Sequence, residues 1–279
     1  MRAPTLRFAL DDTTVQLRAP RHRSDFKSRD EDVLHPARRY NLAAQTFRPM
    51  QRNLAVDRWH NLDLVFRSWS FYGPWFTGRL AEMSMYIGLL TPTQPQAGVS
   101  LFHPRAFENA VADYLTDQFA PDKRDGKSLW AAPVNWQVLH SLPSVAARLV
   151  VMPDQQKNRT SDFEEYVFFP IADRYMVKLI FTPVLSINAS LEESRKQIDH
   201  MPMETLMNDI INSLQVTLSP AALAQQAAAL SDLEDTSLTE HFAPLKWTTE
   251  KEDAEWAQHQ RNEAESREHL AQARRGNRK

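Results

Sequence analysis

Apolar and polar residues alternate along Thr5-Leu6-Arg7-Phe8-Ala9-Leu10 and along Thr14-Val15-Gln16-Leu17, with Asp11-Asp12 between them. Period-two alternation around a turn-forming pair predicts a β-hairpin. From Pro20 to about Asn53 the pattern dissolves into a polar, arginine-rich stretch, which predicts a long loop or arm with room for one short helix. Leu62, Leu64 and Phe66 alternate again, Gly73-Pro74 marks a turn, and Met83 to Leu90 reads as a strand. Pro104 opens a helix to Phe119, in which Phe107, Ala110, Val111, Tyr114 and Leu115 recur at helical spacing on one face.

A run of short strands follows, at about Asn135–Leu139, Ala146–Met152, Glu164–Phe169 and Arg174–Thr182. Short turns separate them, so neighbours pair antiparallel as a meander. Pro202 to Leu214 carries a second stripe of Met203, Leu206, Met207, Ile210, Ile211 and Leu214. Both stripes need a surface to cover, and the expectation is that the two helices roof one apolar face of the sheet. A short strand at Gln215–Leu218 comes next. Ser219-Pro220 then reads as a cap and first turn, starting an alanine-rich helix with Leu223, Ala227 and Leu230 on one side. Thr249 and Glu252 match a capping box at the head of a charged, solvated helix that runs toward Lys279, with Glu263 and Arg267 placed to pair. The fold class is therefore α+β. Residues 1–218 form one domain with an irregular basic arm at about 20–58, and residues 219–279 form a charged helical extension.

Composition narrows the chemistry. The 279 residues include no cysteine, which removes disulfides, thiolate metal sites and cysteine nucleophiles. Only 6 are glycine, against the usual ~7%, and no P-loop, dinucleotide fingerprint, nucleophile elbow or His-Glu-x-x-His occurs. None of the nine histidines pairs at metal-ligand spacing, so neither metal nor cofactor is expected. Glu164 and Glu165 point to opposite faces of a strand and cannot share one acid/base site. The net charge of −2 hides a basic start, with 12 Lys/Arg against 7 Asp/Glu in residues 1–60. A sequence pI of about 6.5 argues against nucleic acid, whose binding domains run above about 9. Met1 to Phe8 has no apolar stretch of 7–15 residues behind it, and no window suits a membrane span. The expected location is the cytoplasm.

Six of the eleven residues from Phe66 to Phe76 are aromatic. Such side chains bury about 150–250 Å² each, which favours plugging the open face of the sheet. In a loop with a Gly-Pro turn they could instead line a groove for a partner protein. On that second reading Trp69, Phe71, Tyr72, Trp75 and Phe76 are the anchors, with Arg38 and Arg39 on the rim, because aromatic residues and Arg dominate interface hot spots. The competing reading is an enzyme with a site built from distant residues, with His103 or His140 as base; no catalytic residue is assigned.

The order of elements resembles the Mog1/PsbP-like superfamily, most closely the bacterial branch of DcrB-type proteins and type VI secretion effector chaperones. Three segments carry the resemblance: Val145–Met152, the hairpin Tyr166-Val167-Phe168-Phe169-Pro170-Ile171-Ala172-Asp173-Arg174-Tyr175-Met176-Val177, and Met207-Asn208-Asp209-Ile210-Ile211-Asn212-Ser213-Leu214. It covers about residues 80–218; the first 60 residues and the charged tail depart from it. The resemblance implies an α/β sandwich, and a bacterial adaptor, chaperone or immunity-like module that binds another protein without turnover.

Overall fold

The computed structural model describes residues 3–23, 39–50, 58–74, 78–124, 127–153, 163–186 and 196–276. Strands β1 (Thr5–Leu10) and β2 (Thr13–Arg18) form the expected hairpin, with Leu6, Phe8, Leu10, Val15 and Leu17 pointing inward. Asp11 and Asp12 adopt φ of 43° and 65°, the left-handed pair that a tight two-residue hairpin turn requires. Within the stretch expected to be irregular lie β3 (Arg39–Tyr40), a 3₁₀ turn at Leu42–Ala44 and β4 (Arg48–Pro49). β3 pairs parallel to β1.

Of the expected loop aromatics, Phe66, Trp69, Phe71 and Tyr72 instead belong to a strand. β5 (Trp59–Tyr72) and β6 (Arg79–Pro92) run antiparallel for 14 residues each. A bulge between Asp63 and Val65 inserts one residue and reverses which face later residues present. Leu62 pairs with Leu89 and Phe66 with Tyr86, so the simple alternation Leu62, Leu64, Phe66 does not hold and Phe66 faces away from Leu62.

Helix α1 (Pro104–Phe119) starts at His103, whose ring nitrogen accepts the backbone N–H of Arg105 and Ala106. After the small ribbon β7 (Lys123–Arg124) and β8 (Lys127–Ser128) come β9 (Trp130–Val138), β10 (Ala147–Pro153), β11 (Glu164–Ala172) and β12 (Tyr175–Leu185). The large sheet has the order β4-β5-β6-β12-β11-β10-β9, antiparallel throughout. Helix α2 (Met201–Asn212) and β13 (Gln215–Thr217) follow; β13 adds to β2 and completes a second sheet, β13-β2-β1-β3.

The two helices do not share a face. Val177, Leu179, Phe181, Val167, Phe169 and Ile171 pack with the β1–β2 sheet and with Met203, Met207, Ile210 and Ile211 of α2. Tyr166, Phe168, Met176, Leu149 and Val151 pack with Phe107, Val111, Tyr114, Leu115 and Phe119 of α1. Alternate residues of β11 and β12 therefore feed opposite cores. This explains the near-continuous apolar run Tyr166–Phe169, the mark of a strand buried on both sides. Each of these large side chains contributes about 1.5–3 kcal/mol on burial.

Ser219 caps α3 (Pro220–Leu230) by accepting the N–H of Ala222. The side that carries Leu223, Ala227 and Leu230 is not the one the helix buries: Leu223 is 50% exposed, and Ala222 is the buried residue. Residues 231–249 have no regular structure but cross α1 and β9, burying Leu238 and packing Phe242, Leu245 and Trp247 on the second core. The capping box forms as expected, with Thr249 and Glu252 exchanging hydrogen bonds at the start of α4 (Glu250–Gly276). The side chains of Glu263 and Arg267 lie outside the described residues. No helix among the described residues is long and apolar enough to cross a membrane.

Candidate functional site

Four segments meet around the β11–β12 turn. The β1–β2 turn is tied to the 3₁₀ turn, as the Leu42 N–H donates to Asp11 Oδ1 at 2.8 Å. The head of α3 is tied to β2, as the Ser219 N–H donates to Thr13 Oγ1 at 3.0 Å. Asp173 is clamped through its backbone: its N–H donates to Gln225 Oε1 at 3.0 Å, and its carbonyl accepts the Leu101 N–H at 2.9 Å. These ties fix the loop 95–100, the turn and α3 around a cleft of about 1050 Å³. A second lobe of about 800 Å³ lies toward α1 and shares Asp173, Arg174, Gly98, Val99, Ala228 and Ala229 with the first. Small ligands occupy pockets of roughly 300–1,000 Å³, so each lobe is at or near the upper limit. Arg174 stands exposed between them, and no ion pair among the described residues holds its guanidinium.

The second lobe contains His103 and Asp113, but neither is arranged as an acid/base pair. His103 Nδ1 is occupied in capping α1. Asp113 accepts from Arg58 at 2.6 Å and from Trp59 Nε1 at 3.2 Å. His140 is exposed on the β9–β10 turn. Among the described residues His200 lies beside a carboxylate, 3.5 Å from Glu204, at an apolar crevice of about 10 Å³, room for about one water. No group of three His, Asp or Glu among the described residues has metal-binding geometry.

A polar cluster that the sequence did not reveal lies under α1. Lys178 on β12 sits opposite Gly88, which in turn sits opposite Asp63. Its Nζ donates to Tyr114 Oη at 3.0 Å and lies 5.1 and 5.2 Å from the rings of Tyr114 and Tyr86. Burial of the ammonium pushes the Lys178 pKa down to about 7, against the opposing pull of Asp63 and Glu164. Tyr86 donates to Asp63, which also accepts from Asn61. Burial, then the hydrogen bond to Asp63, raises the Tyr86 pKa. Gly88 is required here by close approach: a Cβ would lie 2.6 Å from Asn61 Oδ1 and 2.7 Å from Tyr86 Oη. A perturbed buried lysine is a functional-site signal, yet Lys178 lines neither lobe of the cleft around Arg174. Val177-Lys178-Leu179 reads in sequence as a strand with an outward charge; only the covering of both faces turns that charge inward.

Of the predicted anchors and rim residues, Trp69, Phe71, Tyr72 and Arg39 lie among the described residues. Trp69 is 5% exposed, in the core beneath the β1–β2 sheet, and its Nε1 donates to the Arg21 carbonyl at 3.0 Å. Phe71 is half-buried against the same core, whereas Tyr72 is 55% exposed. Arg39 is exposed on β3, 3.9 Å from Asp12. Trp75, Phe76 and Arg38 lie outside the described residues. Arg39 and the Tyr72 end are not brought into one groove with Trp69, because strand periodicity directs Trp69 inward. The chain matches no protein-family model, and no significant match emerged among curated proteins or solved structures.

Proposed function

We propose that this chain is a cytoplasmic, non-catalytic protein-binding module of the adaptor, chaperone or immunity-like kind, and that it holds a segment of a partner protein in the two-lobed cleft around Asp173 and Arg174. The observation that carries this reading is the cleft itself: two lobes of about 1050 and 800 Å³ sharing one wall. That space suits a length of chain better than a small molecule. Its wall offers small side chains on α3, main-chain polar groups of the 95–100 loop and the exposed Arg174, which together suit an extended or irregular peptide. We also retain the Mog1/PsbP-like sandwich as a proposal. The β11–β12 hairpin and α2 on the sheet face support it, since they overlap the segments that carry the resemblance.

The test is a selection of displayed peptides on the immobilised chain, followed by Ala228→Trp. Ala228 is exposed and lines both lobes, so the substitution fills the cleft without disturbing a core. Selected peptides are expected to bind the variant at least tenfold more weakly at unchanged melting temperature. Equal binding to both proteins contradicts the cleft, and sensitivity to Tyr72→Ala instead would move the site to the β5–β6 end.

A further inference from the structure

The segment between α3 and α4 is held in large part by side chains that read its main chain, as Arg67 and Trp69 read the carbonyls of Ala19, Pro20 and Arg21. In the sheets, main-chain groups are satisfied by other main-chain groups. At Thr239 both are read by side chains: its N–H donates to Glu108 of α1, and its carbonyl accepts Trp136 Nε1 of β9 at 2.8 Å. Six residues on, the Leu245 N–H donates to the Ala132 carbonyl of β9 at 2.7 Å. Trp247 Nε1 donates to Thr116 Oγ1 of α1 at 3.1 Å.

Between these polar contacts lie four apolar ones. Leu238 is buried, and Phe242, Leu245 and Trp247 pack on the second core. Phe242 meets Trp136 with ring centres 5.0 Å apart, and Trp247 stacks on Phe119 at 6.4 Å. Glu108 is only 5% exposed and has Arg105 as its ion-pair partner. A buried carboxylate, an indole N–H and an edge-strand carbonyl thus aim at a trough between α1 and β9. The trough reads the backbone of an extended segment and offers pockets for apolar side chains, the recognition mode of a peptide groove. The connection from α3 is exposed at Ser231, Asp232 and Glu234 and has no regular structure.

We propose that the trough between α1 and β9 is an extended-peptide site occupied by the chain's own residues 235–247, an internal ligand that opens and reseats as a unit. This is independent of the cleft around Arg174. The occupant it selects has apolar side chains at the spacing of Leu238, Phe242, Leu245 and Trp247.

Two measurements on the full chain test it. In the first, hydrogen exchange of the intact protein is followed at the Thr239 and Leu245 amides. Their exchange is expected to be at least tenfold faster than that of the β11–β12 amides and insensitive to low denaturant, as for a local opening. Exchange of these amides only with global unfolding overturns the proposal. In the second, a protease site is inserted between Asp232 and Glu234 and cut under native conditions. The released 235–279 fragment is expected to remain bound and to be displaced by a synthetic peptide of residues 235–250. The same peptide carrying Leu238→Ser and Phe242→Ala should compete at least tenfold less well. A fragment that dissociates on cutting and does not rebind, or one displaced equally by both peptides, overturns it.

Discussion

The two faces of the large sheet are built from the same strands but on different chemistry. The face under β1–β2 and α2 is packed with Leu, Ile, Val, Met and Phe from both layers. Its ion pair, Arg148 with Glu165, lies where an outer cleft of about 320 Å³ opens. The face under α1 is aromatic, with Trp59, Tyr114, Tyr166, Phe168, Phe119 and Trp136 in edge and stacked contacts. It also holds Lys178 at its centre and Glu108 beneath the 231–249 segment. The layer under β1–β2 and α2 is mainly aliphatic, with the buried Arg67 reaching across it to the Ala19 and Pro20 carbonyls, so away from Arg67 its cost of change is a cavity. A layer with buried charge needs each polar partner kept in place, so small changes disturb it.

The largest expected effect tests the aliphatic face. Phe169 is fully buried there, and Phe169→Ala should destabilise by about 3–5 kcal/mol in denaturant titration. A loss below about 1 kcal/mol would mean that the face collapses around the void or is loosely packed. Next comes the polar face. Gly88→Ala adds one methyl group, yet it displaces the hydrogen-bonded Asn61 and Tyr86 side chains, and the expected loss is about 1–3 kcal/mol. An unchanged stability would show that the Asn61–Asp63–Tyr86 cluster moves without cost. Smaller still, Thr249→Ala removes the capping box of α4 and should cost about 1 kcal/mol of helix stability. That loss should appear as reduced helicity in circular dichroism with the main unfolding transition unshifted. Acid should act at the same place: hydrogen bonds from Lys123 and Thr249 hold the Glu252 pKa at about 2. Its contribution is present above about 4.5 and fades as the pH falls toward 2.

Much of this architecture is legible in the amino-acid pattern, and the failures share a cause. The Asp11-Asp12 hairpin, α1, α2 and β10 announce themselves by period and the β11–β12 hairpin by its apolar runs around a turn, whereas β9 begins at Trp130, five residues before the expected Asn135. The bulge at Asp63–Val65 is invisible because inserting one residue changes face without changing composition. The buried side of α3 is unreadable in a helix of alanines, where Leu223 is the conspicuous apolar residue and yet points to solvent. Residues 231–249 follow neither period, so Leu238, Phe242, Leu245 and Trp247 do not register as core. Lys178 escapes notice because a strand position looks solvated until α1 is seen above it and the β1–β2 sheet below. The cleft around Arg174 is made by four distant segments, and no local pattern marks it.

The contrast between the faces is tested most directly by the pH dependence of unfolding free energy for the wild type and Lys178→Met. The folded state holds the Lys178 pKa near 7, against 10.5 for an ordinary lysine. Between these values the unfolded chain binds the extra proton, so stability must rise with pH there and the burial penalty must be largest below 7. One proton gives a slope approaching about 1.4 kcal/mol per pH unit near pH 8–9. Wild-type stability should climb through that window, whereas the Lys178→Met curve should lack this component and lie above the wild type at pH 6–7. Parallel curves for the two proteins would contradict the account.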